Sequence, residues 1–223
     1  MFKKYILFFF TLLFSNENID YKINVWGIPA AKCSYSIIDT IFHDIPSKKI
    51  QYKVETISLY DFFYPVKNNY TVIFNSDTYS LLYYEKNSSQ PQVINNITTN
   101  YNNGIISYIN GDVVKENETN IFILLYLIGN NNFKAIDRFP IIDREGKKFS
   151  YSLTPIKENY SYSISLNPIS NFDLSVVEHT DIFTWGLFLE NTKNFVYLNN
   201  NDKLIDKCIF KKGIIKLVAT RVK

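Results

Sequence analysis

Histidine, cysteine and glycine are scarce in this chain: two, two and seven among 223 residues. Each scarcity removes a class of chemistry. No Cys-x-x-Cys, His-x-His or His-Glu-x-x-His spacing is present, so nothing matches a transition-metal site. No glycine-rich phosphate loop occurs, and no Gly-x-Ser-x-Gly elbow presents a nucleophile. The oxygen-rich run Asn199 to Asp202 lacks the spacing and the bidentate glutamate of a calcium loop and reads as a turn. His179 sits beside Glu178 and Thr180, but adjacent residues of a strand point to opposite faces, which argues against a triad there. Nothing calls for a cofactor.

Strong charge of one sign is also missing. The chain carries 24 basic and 21 acidic residues, and the basic pairs Lys147-Lys148 and Lys211-Lys212 are isolated. A nucleic-acid binder clusters its basic residues on one face, so that partner class is set aside.

The N-terminus is organised for processing. Lys3-Lys4 precede an apolar run from Tyr5 to Phe14, and Ser15 then leads to polar Asn16-Glu17-Asn18. A short positive stretch, a short apolar stretch and a small residue make a secretory signal peptide, too short for a comfortable permanent span. The expected division is a signal peptide over 1–15 and one exported domain over 16–223. No later apolar run approaches the length of a membrane helix. Removing Lys3 and Lys4 from the 24 basic residues leaves 22 against 21 acids, a net charge of +1. Export would permit a disulfide between the only two cysteines, Cys33 and Cys208; two separate buried thiols fit the spacing equally.

What the chain has in plenty is aromatic residues, 17 Tyr and 18 Phe, which suit a pleated and half-buried surface. Ile50, Tyr52 and Val54 alternate with Gln51, Lys53 and Glu55; Tyr70, Val72 and Phe74 repeat the pattern, as do Tyr79, Leu81 and Tyr83. That is an antiparallel meander with one apolar face. Tyr21 to Val25 and Cys33 to Ile37 read as an earlier strand pair around Gly27-Ile28-Pro29, and His43 to Lys49 as a polar turn. Leu59 to Pro65 is too aromatic for an exposed loop and is expected to tuck its rings against one end of the sheet. Later, Phe139 to Asp143 and Lys148 to Ile156 flank a four-residue loop with Gly146. Tyr160 to Leu166 alternates cleanly with serine, Asn171 to Val177 offers a further strand, and Leu204 to Phe210 and Ile214 to Val222 close the chain.

One helix stands out: Thr119 to Ile128 is apolar almost all round, with Thr119 or Asn120 to cap it and Gly129 to stop it. It should be buried against the sheet. The expected fold is all-β and mainly antiparallel, a curved sheet or open β-barrel of about ten to twelve strands with one buried helix near 119–128.

The succession Tyr21-x-Ile23-x-Val25-Trp26-Gly27-Ile28-Pro29-Ala30-Ala31 resembles the opening of a bacterial exported family known only as domain of unknown function 3108. The strands around Tyr52 to Tyr84, the 119–128 helix, the hairpin at Gly146, Trp185 and the ending Gly213 to Arg221 are similar to later parts of that family, in which a Trp-containing strand precedes a basic-capped last strand. Where that family has an acidic residue just before the helix, this chain has Asn120. The resemblance implies export to the periplasm or outer-membrane periphery of a Gram-negative cell, and it carries no activity. The architecture is also similar to the half-barrels of periplasmic lipoprotein carriers, an analogy of fold alone.

Three readings follow. The first is a non-enzymatic periplasmic or envelope protein that binds an apolar ligand, a lipid or a lipidated partner on the concave face of the sheet, using the rings of Tyr52, Phe62, Phe63, Tyr83 and Trp185. The second is an interaction or assembly module with a filled core that binds envelope protein or polysaccharide. The third, a hydrolase-like use of His179, requires that residue to face a carboxylate inside a cleft.

Overall fold

The computed structural model describes residues 17–91, 93–156, 160–169, 181–188, 191–199, 202 and 204–223. The signal-like segment 1–15, the strand expected at Asn171 to Val177 and His179 lie outside the described residues.

Period-2 alternation drives a long first meander. Its strands are β1 (Glu17–Val25), β2 (Ile28–Phe42), β3 (Ile45–Thr56) and β4 (Lys67–Asn75), then β5 (Leu81–Gln90), β6 (Val93–Asn102), β7 (Ile105–Tyr108) and β8 (Val113–Val114). A second series follows: β9 (Glu118–Asn120), β10 (Ile141–Arg144), β11 (Lys147–Ile156), β12 (Ser161–Pro168), β13 (Lys193–Leu198), β14 (Ile205–Lys212) and β15 (Ile215–Arg221). All fifteen make one sheet, ordered β8 to β1 and then β15 down to β9. The first strand pairs with the last, Tyr21 opposite Arg221 and Val25 opposite Leu217. The two edge strands, β8 and β9, come from the middle of the chain, with only Lys115 to Asn117 between them. The sheet therefore curls until its two edges adjoin, as an all-β, barrel-like fold.

Among the described residues every ladder is antiparallel except β9 with β10, and a parallel pair needs a crossover. That crossover is α2 (Ile121–Gly129) followed by α3 (Phe133–Ile136). Asn120 accepts the Ile123 amide at 2.9 Å to cap α2, satisfying one of the amides a helix start leaves without a partner. The helix runs inside the curled sheet, where Ile123, Leu124, Leu127 and Ile128 are fully buried. Phe122 packs on Tyr52 and Tyr70 with ring centroids 5.0 Å apart in each case. A helix apolar on every side is stable in water only when enclosed in this way.

Several local expectations need correction. The strands number fifteen, more than expected, because short segments such as Val113–Val114 join the ladder by pairing with Ile106 and Ser107. His43 to Lys49 is not a polar turn: His43 and Asp44 alone turn, both at positive φ, and Pro46 lies within β3 opposite Ile41. The loop at Gly146 holds two residues, Glu145 and Gly146, at φ +55° and +86°, the tight hairpin geometry that twisted strands favour. Ser58–Phe63 forms a one-turn helix, α1, yet Phe62 and Phe63 are 81% and 70% exposed rather than tucked in. The sheet end is already closed beneath them, since Val66 and Ala30 are buried there. Ile182–Phe188, which contains Trp185, is a helix, α4, and not the Trp-bearing strand that the resemblance implied.

Candidate functional site

Two places gather side chains that bear chemistry. The first is the seam where the curled sheet meets itself. Lys148 on β11 donates to Glu118 at 2.5 Å, to Asp143 at 2.7 Å and to the Val113 carbonyl on β8 at 3.0 Å. Tyr108 on β7 donates to Asp143 at 2.5 Å. Lys86, whose side chain is fully buried on β5, pairs with Glu145 in the β10–β11 turn. Side chains thus join edges that no backbone ladder connects among the described residues.

Deeper in, Asp181 accepts from Asn68 at 2.8 Å, from Tyr70 at 2.5 Å and from Thr184 at 2.7 Å. Arg144 donates to Thr184 at 3.2 Å and lies over the Phe188 ring. Burial is the main cause of the charge shifts here. It pushes the Asp143 carboxyl up, while Lys148, Tyr108 and the Gly146 amide pull it back. For Lys148, burial acts downward, but Asp143 and Glu118 outweigh it and raise the ammonium. Burial lowers Arg144, against the pull of Glu145 and Asp181. Tyr70 and Tyr108 are raised by burial and then by the carboxylates they face.

A perturbed cluster of this kind is a common mark of an active site, so access decides its meaning. The void among Tyr84, Asn120, Asp143, Arg144 and Thr184 is about 10 Å³. That is the room of one water at most. The deep part of the network is closed, and what it does is clasp the sheet around α2; at its outer side Tyr108 and Glu145 border a cleft of about 190 Å³.

The second place is open. Beneath α3, the concave residues Tyr151, Leu153, Pro155 and Tyr162 continue the core face of β11 and β12 beyond the end of α2, and with Phe133 and Ile136 they enclose a groove of about 520 Å³. That volume falls in the range of small-molecule sites. Phe133 and Tyr162 pack at 5.1 Å. Tyr151 donates its hydroxyl to the Ile136 carbonyl at 3.0 Å, which ties the wall of the groove to its roof and leaves the ring toward the space. Burial and nearby Asp137 push Tyr151 up to about 12, so it stays neutral. Asp137 is the one charged residue of the lining among the described residues.

The five rings expected to share a site are scattered. Tyr52 faces the core against Tyr35 and Phe122. Tyr83 points to the other face, where it joins Phe42, and Phe42 also touches His43 and Tyr101. Phe62 and Phe63 pack edge to face on each other at 5.1 Å and jut from the end of the sheet. Trp185 belongs to α4. Cys33 and Cys208 are free and buried, on β2 and β14, with β1 and β15 between those strands in the sheet.

The groove itself escaped sequence reasoning. Phe133 and Ile136 sit in a four-residue helix that no periodicity announces, and they meet β11 and β12 only through the fold. The buried charges left a fainter trace: Lys86 occupies the core register of β5, in step with Tyr84 and Ser88.

No family model, curated protein or solved structure matches this chain. The class that fold and site define is an antiparallel barrel-like sheet closed around a central helix, with an apolar groove at one end.

Proposed function

We propose that this protein is a non-enzymatic binding protein that holds an apolar ligand, or the acyl chain of a lipidated partner, in the groove between α3 and β11–β12. The observation that carries this reading is the groove: about 520 Å³, walled by aromatic, proline and aliphatic side chains. Its walls are rigid, because Tyr151 is fixed to Ile136 and the β11–β12 ladder runs unbroken behind it. The middle of the barrel is occupied by α2, so the ligand sits beside the core rather than inside it. The signal-like segment and the resemblance noted above support an envelope location, in the periplasm or at the outer-membrane periphery.

The test is native mass spectrometry with lipid extraction on the mature protein from its own envelope, paired with binding of a fluorescent fatty-acid probe. An apolar species should co-purify, and Leu153→Asp should weaken probe binding by about tenfold or more, because a carboxylate then faces an apolar ligand. A folded protein that carries no apolar species and gives the same probe binding with and without Leu153→Asp would leave the interaction module, which a filled core also suits, as the better reading.

A further inference from the structure

The end of the barrel opposite the β11–β12 connection carries a different surface. Three neighbouring connections meet there: the β1–β2 turn, the β14–β15 turn and the α1 segment between β3 and β4. Trp26 donates its indole N–H to the Ile214 carbonyl at 2.8 Å and its amide to the Lys216 carbonyl at 3.2 Å. The Ile57 amide donates to the Ala30 carbonyl at 3.0 Å, which sets α1 beside the start of β2. Trp26, Ile28, Leu59, Phe62, Phe63 and Ile214 are all exposed, five of them at 60% or more. Scattered apolar residues on a surface need no explanation, but six from adjacent connections at one end do.

Around them lysines outnumber the acids. Lys193, Lys211 and Lys216 stand opposite one another on β13, β14 and β15. Like charges in direct register destabilise a sheet, so folding does not account for them. Lys212 and Lys67 are exposed at the same end, and none of these five forms an ion pair among the described residues. The acids nearby are engaged, Asp61 by the Thr56 hydroxyl at 3.1 Å and Glu55 by Lys32 at 3.5 Å.

We propose that this end of the barrel docks on an anionic lipid bilayer, with the Phe62–Phe63 pair, Trp26, Ile28 and Ile214 entering the interface and the lysines resting on acidic headgroups. Tryptophan at a rim of apolar side chains, backed by lysines, is the composition that interfaces favour. Lysines near an acidic leaflet add attraction that decays within a Debye length. The groove is toward the other end and stays open in the docked state, so docking stands independently of what the groove holds.

The test is co-sedimentation of the full mature chain with vesicles of phosphatidylcholine alone and of phosphatidylcholine mixed with phosphatidylglycerol. The folded protein should bind the acidic vesicles, not the neutral ones, and lose binding as salt rises. Phe62→Ser with Phe63→Ser should weaken partition by about tenfold or more. Lys211→Glu with Lys212→Glu should abolish the preference for acidic lipid; both pairs are exposed, one on α1 and one at the end of β14, and circular dichroism checks that each folds. Tryptophan emission should shift to the blue on binding, and that shift should shrink in Trp26→Phe. Absence of binding to acidic vesicles, binding untouched by both double variants, or a lipid-free dimer that the Phe62→Ser, Phe63→Ser variant dissociates would each overturn the proposal.

Discussion

Tyr108 and Asp143 stand second from opposite edges of a fifteen-stranded sheet, yet the tyrosine hydroxyl donates to the carboxylate at 2.5 Å. Their meeting marks how far the sheet has curled. A curled sheet with open edges would expose unpaired backbone along both. Here the edges are held together by Tyr108, by the Lys148 hydrogen bond to the Val113 carbonyl and by the Lys86–Glu145 pair, and α2 is enclosed as a result.

The seam should therefore be the weak point of the fold. Asp143→Ala leaves the Tyr108 hydroxyl without its acceptor beside a buried gap and takes one of two carboxylates from Lys148, and should cost about 3 kcal/mol, whereas Tyr108→Phe removes one charged hydrogen bond and should cost about 2 kcal/mol. Urea denaturation checks both. Hydrogen exchange should show β7 and β8 amides opening first in either variant, and uniform exchange across the sheet would contradict the clasp.

Gly146 offers a second probe of the same closure. It sits at φ +86°, and a Cβ there would lie 2.1 Å from the Asp112 carboxylate of the opposite edge. Gly146→Ala should destabilise by about 2 kcal/mol through backbone strain and this overlap together. Adding Asp112→Gly, which also removes the Asp112 Cβ at 2.9 Å, should restore the steric part alone, so the double variant should be more stable than the sum of the singles predicts. Additive effects would mean the edges are not in contact.

The enclosed helix carries the core. Leu124 is fully buried and Leu153 half-buried at the groove. Leu124→Ala should cost about 3 kcal/mol as a cavity variant, and Leu153→Ala less than about 1 kcal/mol while still altering ligand binding. Comparable losses at the two sites would count against an open groove.

Stability should fall on the alkaline side. Burial, the largest cause, raises the hydroxyls of Tyr52, Tyr70, Tyr84 and Tyr108 well above their ordinary value of 10.0. A folded value above the unfolded one means the full contribution is present below about pH 10 and is lost as pH climbs toward the folded values, because only the unfolded chain can then ionise. Tyrosinate absorbance and far-ultraviolet ellipticity should change together in one transition. Burial likewise pushes Cys33 and Cys208 up to about 12, so neither thiol should react with a thiol reagent at neutral pH until the chain unfolds.

Much of this architecture was legible in advance. The alternation in Ile50 to Val54 and in Tyr70 to Phe74 placed those side chains on the face they occupy, and Asn120 and Gly129 bounded the helix where its first and last turns lie. The rings of α1 were misread because aromatic content signals burial only when apolar surface remains to be covered. Trp185 was misread because a short, wholly apolar run has no period to separate helix from strand.

Local pattern by itself determined the all-β class, the buried apolar helix α2 and the absence of familiar catalytic or metal spacings, since those depend on neighbours a few residues apart; it did not announce α3 or α4. Tertiary structure alone decided the pairing of β1 with β15, the meeting of Asn68 with Asp181 across 113 positions, the closing of the deep part of the charged cluster and the groove under α3. Each of these depends on how far the sheet curls before its edges meet. That curl is the sum of many small strand twists, and no single stretch of sequence records it.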